Sequence, residues 1–220
     1  MLFRSGKVDT TEWAFAAGGL YKLTDRISLY ANGSRGFFFP ELRSAAFRPL
    51  PAGLAANASY APGTQSYTAE IIKQGEIGIK MGQPDYSLTL AGIYTKLDNR
   101  RQVLFVNDGA GGFTEKVNLV GTESYGLEST LDVRLMQDLH FNGNVTWQKS
   151  KYTDFDTTPA NIGHKVERQP ELLYNAGLYY DNGTIDASIF TNYTGDNYTA
   201  SNNAIKLKGW NVAKIGRAHV

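Results

Sequence analysis

The 220 residues include no cysteine, which excludes a disulfide framework, a cysteine-based metal site and a thiol nucleophile. Long hydrophobic runs are also missing. Although 42% of the chain is hydrophobic, no stretch approaches the roughly 18 apolar residues of a membrane helix. Charge of one sign is scarce: 22 Lys and Arg against 21 Asp and Glu leave +1. That balance offers no electrostatic reason to expect nucleic acid or an acidic surface as partner. Met1–Lys7 lacks the apolar segment of a secretion signal, so the natural start is expected upstream. Residues 214–220 read as a non-native end and carry no functional weight, His219 included. What the chain does have is 13 Tyr, 11 Phe, 3 Trp and 23 Gly, a composition suited to an aromatic-rich β protein with many turns.

The clearest pattern runs from Gly121 to Trp147. Tyr125, Leu127, Leu131, Val133 and Leu135 share one parity, broken only by Ser129, while Ser124, Gly126, Glu128, Thr130, Asp132 and Arg134 take the other. After Met136-Gln137-Asp138 the alternation resumes. Leu139, Phe141, Gly143, Val145 and Trp147 face one way; His140, Asn142, Asn144, Thr146 and Gln148 face the other. A period of two over this length predicts a β-hairpin with one apolar and one polar face. Soluble strands average about 5–6 residues. These rows would rise about 19–24 Å at a 45° tilt, close to the 25 Å lipid-facing band of an outer-membrane barrel. Tyr125 and Trp147 fall at one end, where an aromatic girdle would lie. A soluble β-sandwich burying the apolar face is the alternative at this point.

Taken in order, strands are expected over Glu12–Tyr21, Arg26–Phe37, Ile71–Met81 and Ser87–Leu97. The central hairpin follows, then strands at about 172–180 and 185–193 and a last one at Lys206–Ala213. Long loops are expected at about 38–67, 98–116, 151–169 and 195–205. Within the second, Arg101–Val106 can extend a strand and Asn107–Gly112 can turn it. Asp181-Asn182-Gly183 is a tight-hairpin signal. Short and long connections alternate, the rhythm of periplasmic turns and extracellular loops, which a sandwich has no reason to keep. The fold class expected is therefore all-β: an antiparallel up-and-down meander forming a partial transmembrane β-barrel of about 8–9 strands over residues 1–213.

Several short motifs then carry a resemblance. Leu29 through Phe37, followed by Pro40-Glu41-Leu42, is similar to a strand ending in Gly-Phe before a Pro-bearing loop in TonB-dependent outer-membrane receptors. Glu76-Ile77-Gly78-Ile79-Lys80 resembles that family's Glu-x-Gly-x-Lys strand, and Gly121 with Tyr125-Gly126-Leu127-Glu128 resembles its Gly…Tyr-Gly-apolar-Glu pattern. Gly163-His164-Lys165-Val166, Pro170, Asn175–Leu178 and Tyr180 are similar to the next hairpin, and Gly209-Trp210-Asn211-Val212 to a later strand. Phe38 stands where the family often has Arg, and Ala69-Glu70 replaces its usual Pro-Glu, so no role transfers at those positions. The resemblance implies a 22-stranded barrel with an N-terminal plug in the outer membrane of a Gram-negative bacterium. It implies binding of a scarce ligand (ferric siderophore, haem, cobalamin or oligosaccharide) at extracellular loops and import energised by TonB. Partners would be outer-membrane lipid, the ligand, and the plug and TonB through an N-terminal part lying outside this chain.

No catalytic constellation emerges and no cofactor is expected. His140-Phe141-Asn142 lacks the serine of an outer-membrane phospholipase and sits by a short turn. His164 with Asp154 and Asp156 has irregular spacing for a metal. Candidate ligand contacts are the loop aromatics Phe37, Phe39, Tyr60, Phe105, Phe113, Tyr152, Phe155 and Tyr198, with Arg43 and Arg168 for an anionic group. The competing reading makes Phe37, Phe39 and Tyr152 girdle residues and the arginines solvated. Glu76, Lys80, Glu128, Asp132 and Arg134 are expected to face the lumen, either as a substrate path or as ordinary paired polar residues. A passive porin, a small structural or adhesin barrel and a soluble carbohydrate-binding β domain remain as alternatives.

Overall fold

The computed structural model describes residues 11–39, 68–107, 113–156 and 158–219. Among these, nine strands form one antiparallel sheet in simple sequential order: β1 (Phe15–Lys22), β2 (Ile27–Phe38), β3 (Glu70–Gln83), β4 (Tyr86–Asn107), β5 (Phe113–Met136), β6 (Leu139–Phe155), β7 (Leu172–Asp181), β8 (Ile185–Thr194) and β11 (Trp210–His219). A two-residue ladder, β9 (Asn197–Tyr198) with β10 (Lys206–Leu207), lies inside the last long loop. No described helix is long and apolar enough to cross a membrane.

The register confirms the alternation and extends it across the sheet. One transverse row runs Ala31, Ile77, Gly92, Leu127, Trp147, Leu172. The row below it runs Leu29, Ile79, Leu90, Ser129, Val145, Tyr174, Tyr193. Apolar side chains therefore share one face, and Ile77, Leu127 and Ile189 remain 68%, 52% and 48% exposed on it. Among the described residues the nine strands form one continuous sheet, with no second sheet or helix layer over this face, unlike the two packed sheets of a sandwich. β1 and β11 are the two edges, so the sheet is an open meander.

Turn chemistry fixes the short connections. Thr24 Oγ1 accepts from the Arg26 and Ile27 amides between β1 and β2. Between β7 and β8, Asp181 and Asn182 side chains accept from Gly183, Thr184 and Ile185, with Gly183 at φ +81°. Only glycine adopts that conformation without strain.

The strand extension expected at Arg101–Val106 is present: β4 and β5 pair from Arg100–Val120 to Asn107–Phe113, so the connection expected at 98–116 narrows to residues 108–112. Two other expectations need correction. β6 continues to Phe155 instead of ending near residue 150. The ninth strand begins at Trp210, because Lys206 and Leu207 pair with the loop's own Tyr198 and Asn197. Its pairing with β8 runs on through residues 214–219, since ladder bonds are made by the main chain whatever side chains it carries.

Two bulges break the parity at the loop end. Leu97 pairs Thr122 but Arg100 pairs Val120, with Asn99 at φ +60°. Across β5 and β6, Gly121 pairs Asp154 while Thr122 pairs Tyr152, leaving Thr153 extra. An extra residue turns the following side chains to the other face. Val120 and Tyr152 keep the even parity of the polar face, and the extra Thr153 turns Phe155 to the same side, where the three meet Val166 from the next loop, each 1–2% exposed, in a small core.

Candidate functional site

The polar face carries a connected group built on β2, β3 and β5. Tyr30 Oη donates to Glu76 Oε1 at 2.5 Å, and Asn32 Nδ2 donates to Glu76 Oε2 at 3.2 Å. The Lys80 ammonium stands 4.9 Å from the Tyr30 ring centre. Tyr30 reaches Glu76 by lying across Gly78, where a Cβ would come within 2.6 Å of the ring. The glycine of the Glu76-Ile77-Gly78 motif thus has a packing reason on this wall. Glu128 shares the row of Tyr30 and Gly78 through Ala91. Lower down, Asn142 donates to Asp132 at 3.2 Å, and Arg134 reaches the Gln137 carbonyl at 3.3 Å. Glu76, Lys80, Glu128, Asp132 and Arg134 therefore all lie on the polar face, and only the first three are gathered near one another.

At the opposite end of this wall, the loops after β6 and β8 dock into each other. The first folds back on β6: the Tyr152 amide donates to the His164 carbonyl and the Gly163 amide to the Tyr152 carbonyl, both at 2.9 Å. Asn203 from the second loop then clamps Lys165, accepting from its amide at 2.9 Å and donating to its carbonyl at 2.8 Å. His164 Nδ1 lies 3.1 Å from the Ser201 carbonyl, and the Arg168 amide donates to the Tyr198 carbonyl at 2.8 Å. The second loop is closed by Asp196, which bonds Lys206 Nζ at 2.6 Å and the Gly209 amide at 2.6 Å. Those bonds, the Lys206 one first, hold the exposed Asp196 carboxyl below the usual carboxylate range, and Asp196 in turn raises Lys206.

The candidate loop residues separate in this arrangement. Tyr152 and Phe155 are buried, ring against ring at 5.1 Å, and support the loop pair from beneath. Burial, then the hydrogen bond to Glu167, pushes the Tyr152 phenol well above the ordinary tyrosine range. Glu167 also accepts from Gln102 at 3.2 Å, tying the β4–β5 extension to the same loop. Arg168 is exposed at φ +59°, beside half-buried Tyr198. Phe37 packs on Phe39 at 5.0 Å at the end of β2. Arg43 and Tyr60 lie outside the described residues, and Phe105 and Phe113 are described by backbone alone. Sequence reasoning missed Tyr30, Asn161, Ser201 and Asn203. The last three announce themselves only as polar loop residues, because their partners lie about forty positions away. Among the described residues no group of three or more His, Asp or Glu could hold a metal ion.

A family model described as TonB dependent receptor-like, beta-barrel matches residues 3–216. No curated protein matches the chain at a significant level. Solved structures similar in fold include the ferric yersiniabactin uptake receptor FyuA from Yersinia pestis (TM-score 0.66, 16% identity, 92% of this chain and 28% of that one). A mutant of the ferric enterobactin receptor PfeA from Pseudomonas aeruginosa is similar at TM-score 0.69 and 17% identity, over 95% of this chain and 32% of that one. The copper transporter OprC is similar at TM-score 0.70 and 15% identity, over 93% and 31%. The chain thus spans about a third of the length of these structures.

Proposed function

Because the chain belongs to the TonB-dependent receptor-like β-barrel family, we propose that its sheet is one sector of a larger closed barrel in a Gram-negative outer membrane. In this reading the apolar face meets lipid and the polar face lines the lumen. The docked loops form part of an extracellular binding mouth for a scarce ligand, imported with TonB-relayed energy through a plug. The family is one of transport receptors rather than enzymes. The observation that carries the reading is the two-sidedness of the sheet: exposed apolar rows on one side, the Tyr30–Asn32–Glu76–Lys80 group and the docked loops on the other or at its mouth.

Ligand contacts are proposed at Phe37, Phe39, Arg43, Tyr60, Phe105, Phe113, Arg168 and Tyr198, with Tyr152 and Phe155 beneath them as support. The similar structures are named for ferric siderophore uptake and copper transport, which favours an iron chelate or metal over cobalamin, haem or a sugar. The test is radiolabelled uptake by cells producing the complete receptor, compared across ferric siderophores, copper, haem and oligosaccharides, with and without a functional TonB. Saturable TonB-dependent uptake of one class, reduced by Arg168→Ala with Tyr198→Ala, is the expected result. Uptake that is non-saturable and indifferent to TonB would make the protein a passive channel.

A further inference from the structure

The hydrogen bonds that close the turn between β7 and β8 also assemble the parts of a reaction. Asn182 is followed by Gly183, whose missing Cβ leaves the main-chain nitrogen open to the preceding side chain. The Gly183 amide donates to Asp181 Oδ1 at 2.8 Å, so a carboxylate stands where that proton would leave. The side-chain carbonyl of Asn182 accepts from the Thr184 and Ile185 amides at 3.0 and 2.9 Å. Two main-chain donors at such distances stabilise a carbonyl oxygen that gains negative charge. Asn182 Nδ2 donates to Tyr180 Oη at 3.0 Å, which fixes which end of the amide faces the two donors. A nucleophile, a base, a polarised carbonyl and a leaving group thus meet in one turn, exposed from Asp181 to Thr184.

Asn-Gly occurs twice more among the described residues, and both copies are held differently. Gly33 lies within β2 between Ala17 and Gly75, and Gly143 within β6 between Leu131 and Ala176. A strand paired on both sides commits its amides to ladder bonds. The Asn32 and Asn142 side chains instead donate across the sheet to Glu76 and Asp132, at 3.2 Å each. We propose that Asn182 is a site of spontaneous deamidation promoted by its own turn. The Gly183 nitrogen passes its proton to Asp181 and bonds to Asn182 Cγ, while the Thr184 and Ile185 amides hold the oxyanion. The Cγ–Nδ2 bond then breaks, and Nδ2 takes up that proton and departs as ammonia, leaving a cyclic succinimide. Water opens the ring on either side. Cleavage at Cγ gives ordinary aspartate at position 182; cleavage at the main-chain carbonyl gives isoaspartate, with the backbone rerouted through Cγ. One water is consumed for each ammonia released, and no oxidant or reductant is needed. Isoaspartate lengthens the main chain by one carbon and removes the side-chain carbonyl that closes the turn.

This inference goes beyond the transport reading and depends on neither the membrane placement nor the ligand. The complete receptor, kept folded in neutral detergent and mildly alkaline buffer, is sampled over weeks. Peptide mapping with electron-transfer fragmentation then separates asparagine, aspartate and isoaspartate at each Asn-Gly pair. A synthetic peptide of residues 178–188 gives the rate without the folded turn. Conversion at Asn182 should exceed that of the peptide by about a hundredfold, the lower end for a positioned base, while Asn32 and Asn142 stay intact. Asp181→Asn keeps an acceptor for the Gly183 amide but removes the base, and should return the rate to near that of the peptide. Asp181→Ser, a second short acceptor, should do the same, with heat-dependent gel mobility reporting which variants are folded. A folded receptor that converts no faster than the peptide, an unchanged rate in a folded Asp181 variant, or equal conversion at all three pairs overturns the proposal.

Discussion

Gly126 offers the sharpest test of the sheet's geometry. A Cβ built on it would stand 2.3 Å from the Trp147 carbonyl oxygen and 2.9 Å from the Gln148 Cα. Carbon–oxygen contacts in sheets settle at about 3.3–3.6 Å, so Gly126→Ala requires β5 and β6 to separate by about 1 Å. The obstacle is main chain, which cannot rotate aside as a side chain would. Overpacking typically costs about 1–3 kcal/mol, and this site should sit at or above the upper end. Gly92→Ala is the matched control: its Cβ meets only Ile77 and Leu127 atoms and the Ile77 carbonyl at 3.8–3.9 Å, an ordinary contact. Loss of unfolded-state freedom should then make Gly92→Ala neutral or stabilising by about 0.5 kcal/mol. Denaturant unfolding of the two variants of the complete receptor in lipid micelles, followed by tryptophan emission and by heat-dependent gel mobility, should separate them by about 3 kcal/mol. Equal midpoints for the two variants would refute the close approach of β5 and β6, and with it the reason given for glycine in the Tyr125-Gly126-Leu127-Glu128 motif.

Gly78→Ala should push the Tyr30 ring off Glu76 and lower ligand transport with little loss of fold; a crystal structure with the ring unmoved would contradict this. Tyr152→Phe removes the bond to Glu167 and should cost about 2 kcal/mol of local stability, read as faster exchange of the Gly163 amide, while Tyr152→Ala should cost about 3–5 kcal/mol through the cavity it leaves. The Asp196 carboxyl titrates below its usual range, so its hold on the second loop is fully present above about pH 4 and is lost as pH falls through the depressed value. Protection of the Gly209 amide, corrected for intrinsic exchange, should follow that course, and Asp196→Asn should abolish the pH dependence.

The two faces of the sheet were legible in the chain because side-chain direction in a strand depends only on parity. The register keeps Glu76, Lys80, Glu128, Asp132 and Arg134 together on one face of the sheet. Tight turns at Thr24 and Asn182-Gly183 were legible for an equally local reason: their bonds span two or three residues. Tyr152 and Phe155 were read as loop residues, although the even row of Gln148 and Ser150 continues to Tyr152 within β6. Polar, glycine-bearing stretches look like loop whether or not they pair, and a bulge leaves no local mark, so neither the Asp98-Asn99 nor the Thr153 irregularity could be foreseen. The sequence alone therefore determined an alternating, two-faced meander and the family it resembles. Tertiary structure decided what register and long-range contact control: the Tyr30 bond to Glu76, the buried Tyr152 and the clamp of Asn203 on Lys165. Each of these joins residues from different strands or loops, and their meeting is set by main-chain pairing that no single stretch of sequence encodes.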